Sequence, residues 1–413
     1  MNHFCPGICS PGCILRNMAI KNIPRDLLRD IYKTWTLLHL YPKRYRECIA
    51  GKPVQKNKIV FLEVRMKELT DSFTTIYQAL KDDPQWDIQC IFLWEGLADR
   101  ITVRKRCLQA ITALADARYI FVNDSSYLLG CLPLRQETTV IQLWHACGAF
   151  KRFGYSLAGK KFGSEKRELD RYPMYRNFSY VTVSSPEVRW AYADAFQLPL
   201  ERIVATGVAR TDLFYDQNRI RAARQKLETL LPECFANERK RTIVLYAPTF
   251  RGRVAYATSP DVLDFQKLKE LLGEEYLFLC KHHPFVKNPP AIPESLSDFA
   301  RDVTHLMEID ELLMISDVCI SDYSSLIFEY SLFSRPMIFL AHDLEDYGDW
   351  RGFYYSYAEM TPGPVVRTTE ETAACLKQLA TSFDPEQVRS FRDRFMQSCD
   401  GRATQRILSL LKE

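Results

Sequence analysis

At 413 residues the chain is about twice the length of a typical ~100–200-residue domain, so two domains with a cleft between them are expected. A content of 47% hydrophobic, 26% charged and 12% aromatic residues excludes disorder, collagen and simple repeats, and a net charge of +4 excludes a general nucleic-acid binder. No apolar run approaches the ~18 residues of a membrane span and none forms a secretory signal, so a cytoplasmic location is expected.

Near the N-terminus, Cys5, Cys9 and Cys13 in CPGICSPGC have even gaps that fit neither a Cys-x-x-Cys zinc pair nor a ferredoxin run, and the segment reads as a tail. The other cysteines stand singly, several inside apolar runs, and no disulfide framework is expected. Residues 16–58 carry eleven basic and three acidic side chains, a local charge of +8 that leaves −4 for the rest. Within them, residues 24–41 place Leu27, Leu28, Ile31, Trp35 and Leu38 on one helical stripe, with Arg25, Arg29 and Lys33 off it and Pro42 as terminator. Such a helix either lies in an anionic membrane interface or packs on the body, and residues 1–58 are read as a basic amphipathic arm.

From residue 59, short β-branched apolar runs at 59–64, 88–93, 119–122, 139–143 and 180–183 alternate with helical stretches at 72–81, 103–116 and 186–196. This pattern predicts a parallel sheet with crossover helices. The charged stretch 232–241 interrupts it, and a second series has strands at 242–246, 276–280, 318–321 and 337–340. We expect an N-terminal Rossmann-like α/β domain over 59–235 and a second over 236–413 with C-terminal helices that cross back, the ligand lying in the interdomain cleft.

Open α/β sheets bind ligands at the carboxyl ends of their strands, so the polar residues that follow each apolar run are the candidates. After 139–143 come Trp144 and His145, then Gly148, Lys151 and Arg152; an imidazole there can take a hydroxyl proton beside cations that attract an anion. After 242–246 come Thr249, Arg251 and Gly252, a hydroxyl and a guanidinium suited to phosphate. After 276–280 come Lys281, His282 and His283, which suit phosphate contact or proton transfer better than a metal, because neighbouring histidines lack the i, i+4 spacing. After 318–321 come Asp322, Tyr323, Ser324 and Ser325 at the start of a helix over 324–334, where free amides favour an anion. Glu329, further along, accepts ribose hydroxyls if it faces the cleft.

The ordered blocks WHACGAFKRFG, ATGVARTDLF, YAPTFRG, KHHP and SDYSSLIFEYSLFSRPMIFLAHDLEDY resemble the CDP-glycerol glycerophosphotransferase family, which includes teichoic-acid primases and polymerases and related capsule enzymes. The likeness covers roughly residues 59–395. It implies a GT-B-like fold of two facing Rossmann-like domains, with a CDP-linked alditol bound mainly by the second. His145 and His283 match the family's two catalytic-site histidines, and Asp322 to Ser325 match its diphosphate cradle. Ala146 stands where the family usually has glycine, and Glu329 where aspartate is also common. The implied reaction is attack of an acceptor hydroxyl on the β-phosphorus of a CDP-alditol, with release of CMP. His145 is the expected base, and His283, Ser324 and Ser325 stabilise charge with help from Thr249, Arg251 and Lys281. No organic cofactor and no metal are expected. The expected partners are CDP-glycerol or a similar CDP-alditol, a lipid-linked acceptor and an anionic membrane surface on the inner face of the cell membrane, with no nucleic acid. A GT-B sugar transferase or nucleotide-sugar epimerase, or a non-catalytic membrane-tethering subunit, is the alternative.

Overall fold

The structure, a computed structural model, describes residues 25–70, 72–160, 163–235, 240–252 and 256–412. The first sheet is built from β1 (Gln55–Glu63), β2 (Asp87–Phe92), β3 (Ala117–Val122), β4 (Thr139–Gln142), β5 (Tyr180–Thr182) and β6 (Ile203–Val204), in the order β2-β1-β3-β4-β5-β6. The second contains β7 (Thr242–Tyr246), β8 (Tyr276–Cys280), β9 (Ala300–Asp302), β10 (Val318–Ser321), β11 (Met337–Leu340) and β12 (Val365–Val366), in the order β12-β11-β10-β7-β8-β9. All pairings within both sheets are parallel. Helices cover both faces of such sheets, which is why runs such as Ile59 to Leu62 and Leu277 to Leu279 are apolar on every residue and fully buried. Two of these α/β halves facing each other give the GT-B-like architecture.

Strand order locates the ligand crevices. In the second sheet the chain starts at β7, runs outward through β8 and β9, then returns to β10 on the other side, so the switch point lies between β7 and β10. In the first it lies between β1 and β3. Aromatic packing joins the halves, together with polar contacts such as Arg210–Glu329 and Lys226–Glu311. Phe150 of the first half meets Phe328 at 6.5 Å and Phe353 at 5.4 Å, and Phe328 stacks on Phe391 at 5.3 Å. After Glu386–Phe395 the chain crosses back: the Asp212 carboxylate accepts the amides of Ala403 (3.0 Å) and Thr404 (2.8 Å), starting the helix Ala403–Ser409. Ile407 and Leu411 are then buried with Ile59, Phe61 and Phe73 of the first half.

Two features depart from expectation. Strands β6, β9 and β12 stand at sheet edges and span only two or three residues; Ala300–Asp302 contains no apolar run at all. The N-terminal helix also does not stop at Pro42. It runs as Arg25–Trp35, a π-helical turn Thr36–Leu40, and Tyr41–Ile49, with Pro42 in the first turn of the last segment. The wider turn adds a residue per revolution, tolerates the missing proline N–H and rotates the face that follows. The side chains that enter the core are Leu37, Tyr41, Tyr45 and Cys48, while Leu27 and Ile31 of the expected stripe, ahead of the π turn, are 51% and 43% exposed. The described part of the 1–58 arm is thus integral to the first half: Lys33 pairs with Glu168 at 2.7 Å, and Lys58, within β1, pairs with Asp116. Cys5, Cys9 and Cys13 lie outside the described residues.

Candidate active site

The loop after β4 is built to present one imidazole. Gln142 accepts the Trp144 amide at 2.8 Å and donates to the Asp124 carbonyl at 3.0 Å, which turns the chain sharply at Trp144. Trp144 takes a left-handed backbone (φ 54°), unusual for a bulky residue, and is held there by stacking on Phe153 (5.4 Å) and on His145 itself (4.4 Å). His145 Nδ1 lies 3.2 Å from the Asn123 carbonyl oxygen. A carbonyl only accepts, so Nδ1 carries the proton and Nε2 presents a lone pair. The following loop is clamped by the Tyr192 hydroxyl on the Ala146 and Gly148 carbonyls and by Ser184 Oγ on the Gly148 amide. Gly148 has φ +63°, and a Cβ there would stand 2.1 Å from the Phe328 ring, so only glycine lets this loop meet the second half.

From the second half, the exits of β7, β8 and β10 converge. His283 Nδ1 accepts the Phe285 amide at 3.2 Å, so the neutral ring carries its proton on Nε2, opposite to His145. Phe250 and Phe285 pack against it at 4.7 and 4.5 Å. Lys281 donates to the Thr304 and Met307 carbonyls at 2.6 Å each, and burial pulls its ammonium below the ordinary lysine value while Glu308 and Asp302 oppose this. Thr249 Oγ1 is buried with no hydrogen-bond partner among the described residues. Ser325 opens the short helix Leu326–Ser331 without capping it through its side chain, while Ser324 Oγ faces the Leu326 amide at 3.4 Å. The helix is shorter than 324–334 because Ser334 turns left-handed (φ 52°) ahead of Arg335 and Pro336.

One cavity of about 390 Å³ is lined by His145 and Lys151 of the first half together with Thr249, Lys281, His283, Ser324 and Ser325 of the second. Three expected site residues are not in its lining. Arg251 is spent on Asp343 (2.6 and 2.9 Å) and Asp322 (3.0 Å); Asp322 also accepts the Thr249 amide at 2.8 Å. This half-buried network ties the β7 exit to the β10 exit across the switch point, so both residues act as scaffold beneath Thr249. Glu329 is 1% exposed and pairs with Arg210 at 2.6 Å, which removes it as a receiver of ribose hydroxyls. Arg210 itself reaches across from the first half and lines the cavity. It sits in the ATGVARTDLF block, but nothing in that block sets it apart before the halves are brought together. His282, next to His283, is buried against Ser259 Oγ at 2.7 Å, and burial lowers its basicity below that of an ordinary histidine. No group of three or more His, Cys, Asp or Glu side chains is placed to hold a metal ion among the described residues.

The sequence model described as CDP-glycerol:poly(glycerophosphate) glycerophosphotransferase matches residues 45–413. The chain belongs to this family. It is 38% identical over 359 residues to a teichoic acid poly(ribitol-phosphate) polymerase of Bacillus spizizenii, covering 86% of this chain and 56% of that one. It is 34% identical over 373 residues to a teichoic acid ribitol-phosphate primase of the same organism, covering 89% and 94%. The chain therefore spans little more than half of the polymerase and nearly all of the primase. Among solved structures, the wall teichoic acid polymerase TagF superposes with a TM-score of 0.71 at 25% identity, over 94% of this chain and 98% of that one. A UDP-GlcNAc 2-epimerase from Neisseria meningitidis has a TM-score of 0.54 at 13% identity, over 86% of this chain and all of that one, a likeness of fold alone.

Proposed function

We propose that this glycerophosphotransferase family member transfers an alditol phosphate from a CDP-alditol to an acceptor hydroxyl, releasing CMP, in the synthesis of a teichoic-acid-type polymer. The observation that carries the reading is the meeting of His145 and His283 from opposite halves in one cavity, one ring offering a lone pair at Nε2 and the other an N–H. His145 Nε2 takes the acceptor hydroxyl proton as that oxygen bonds to the β-phosphorus. The bond from this phosphorus to the bridging oxygen breaks, and CMP leaves with the electron pair. The His283 N–H, the Lys281 and Arg210 cations and the Thr249 and Ser325 hydroxyls meet the charge on the diphosphate. Incubation with CDP-glycerol, CDP-ribitol and UDP-sugars tests this directly: CMP is expected from a CDP-alditol, and no UDP from the sugars. Release of UDP instead would favour the sugar-transferase or epimerase reading.

The same proposal places the protein at a membrane surface bearing a lipid-linked acceptor. No described helix is long and apolar enough to cross a membrane. Contact would fall to Leu27, Ile31 and Tyr32, which are exposed on the first helix, more than to its cations, since Lys33 pairs with Glu168 and Arg29 lies 3.4 Å from Asp26. Leu27→Ser with Ile31→Ser is expected to cut sedimentation with anionic liposomes several-fold, by about 1 kcal/mol or more of lost apolar burial, whereas Lys33→Gln has a smaller effect.

A further inference from the structure

We infer that the cavity between the N-terminal helix and the loops after β2 and β3 is the binding site for the alditol-phosphate chain of the acceptor, an assignment that rests on the transfer reading above. This cavity of about 760 Å³ is separate from the one lined by the two histidines. Four observations carry it. Thr36 Oγ1, inside the π-helical turn that lines the cavity, is buried and has no hydrogen-bond partner among the described residues. Glu95, on the opposite wall, forms no hydrogen bond or ion pair through its carboxyl group among the described residues, and burial pushes it up to about 7 against the opposing charge of Arg65. Trp94 before it has a left-handed backbone (φ 63°) and is covered by the Arg106 guanidinium 3.1 Å from its ring centre. That repeats the arrangement after β4, where a left-handed Trp144 precedes His145. Strained backbone of this kind persists where the surroundings over-determine it, and it concentrates at functional sites.

The chemistry of the walls selects the ligand. Glu95 and Thr36 offer hydrogen-bonding groups to hydroxyls, while the rings of Tyr32 and Tyr41 offer faces to C–H groups. Arg100 and Arg104 at the rim form no ion pair among the described residues, and Arg104 is steadied by the Tyr32 hydroxyl at 2.7 Å. The other carboxylates of the lining are each met by a cation, Asp26 by Arg29, Asp30 by Arg171 and Glu168 by Lys33, which leaves Arg100 and Arg104 for phosphodiesters, so that alternating hydroxyls and phosphodiesters, as in a short alditol-phosphate chain, match this pattern. The position also suits an acceptor. The cavity stands at the carboxyl ends of β2 and β3, and β3 neighbours β4, from which His145 emerges. Asp124, which pairs with Arg65, directly follows the residue whose carbonyl holds His145.

The test is the anisotropy of a fluorescently labelled tri(ribitol phosphate), titrated without donor against the full chain. The wild type should bind it saturably, Glu95→Met should weaken it about tenfold and Thr36→Val about fivefold. Ala98→Trp, which fills the cavity from a loop, should abolish binding, and calorimetric affinity for CDP should stay unchanged in all three. Failure of the wild type to bind, equal binding by all the variants, or displacement of the oligomer by CDP would each overturn the assignment. Binding through this cavity by a wild-type protein that releases no CMP would instead sink the transfer reading and leave the cavity assignment standing.

Discussion

His145→Ala is expected to slow CMP release by about 10²–10⁴-fold while leaving CDP-alditol affinity within about twofold. The split follows from where the ring sits. His145 belongs to the first half and is held by the Asn123 carbonyl, whereas Thr249, Lys281, His283 and Ser325 all come from the second half. In the proposed mechanism, removing His145 takes away the base and leaves the diphosphate contacts in place. His283→Ala should behave differently, weakening donor binding as well as the rate, because its Nε2–H faces charge present in the ground state as well as in the transition state. Stopped assays of CMP release, with calorimetry of the donor on the same preparations, separate the two patterns. Undiminished CMP release by His145→Ala would remove the base from the mechanism and with it the reason for the two opposed tautomers.

The strand exits were legible because a buried parallel strand announces itself by β-branched runs, and whatever polar residue follows such a run stands at the ligand-binding end of the sheet. His145, Thr249, Lys281, His283, Ser324 and Ser325 are candidates on this ground, and all six line the histidine cavity. What a strand exit cannot reveal is whether its polar group is already satisfied by a neighbour from another strand. Arg251 and Asp322 have the right chemistry for phosphate and stand at the right ends, yet they satisfy each other, and Arg251 also pairs with Asp343. Glu329 accepts ribose hydroxyls only if it faces the cleft, and it is buried instead. Arg210 is the converse case, since its value depends on reaching the other half, and no periodicity within one chain segment encodes that. The helical stripe fails ahead of the π turn: Leu27 and Ile31 are exposed, and the helix enters the core only from Thr36 and Leu37 onward, a boundary that a 3.6-residue periodicity does not mark.

The Arg210 and Glu329 pair gives the largest expected effect on stability. Their side chains are 12% and 1% exposed, and Glu329 Oε2 has no hydrogen-bond partner among the described residues, so the carboxylate depends on Arg210 for its charge balance. Arg210→Ala leaves that anion buried, for an expected loss of about 3–5 kcal/mol in chemical denaturation. Glu329→Gln removes the anion and leaves Arg210 near Asp310 at 3.8 Å, so a smaller loss is expected. The double variant should then be more stable than Arg210→Ala alone, because the uncompensated carboxylate is gone; additive losses would mean that the pair does not couple. Activity should rank differently. Arg210 lines the histidine cavity, so its loss should lower CMP release by about 10–100-fold in both the single and the double variant, since Glu329→Gln restores the fold without restoring the cation. Recovery of stability without recovery of rate is the signature of a residue that joins the two halves and also faces the donor.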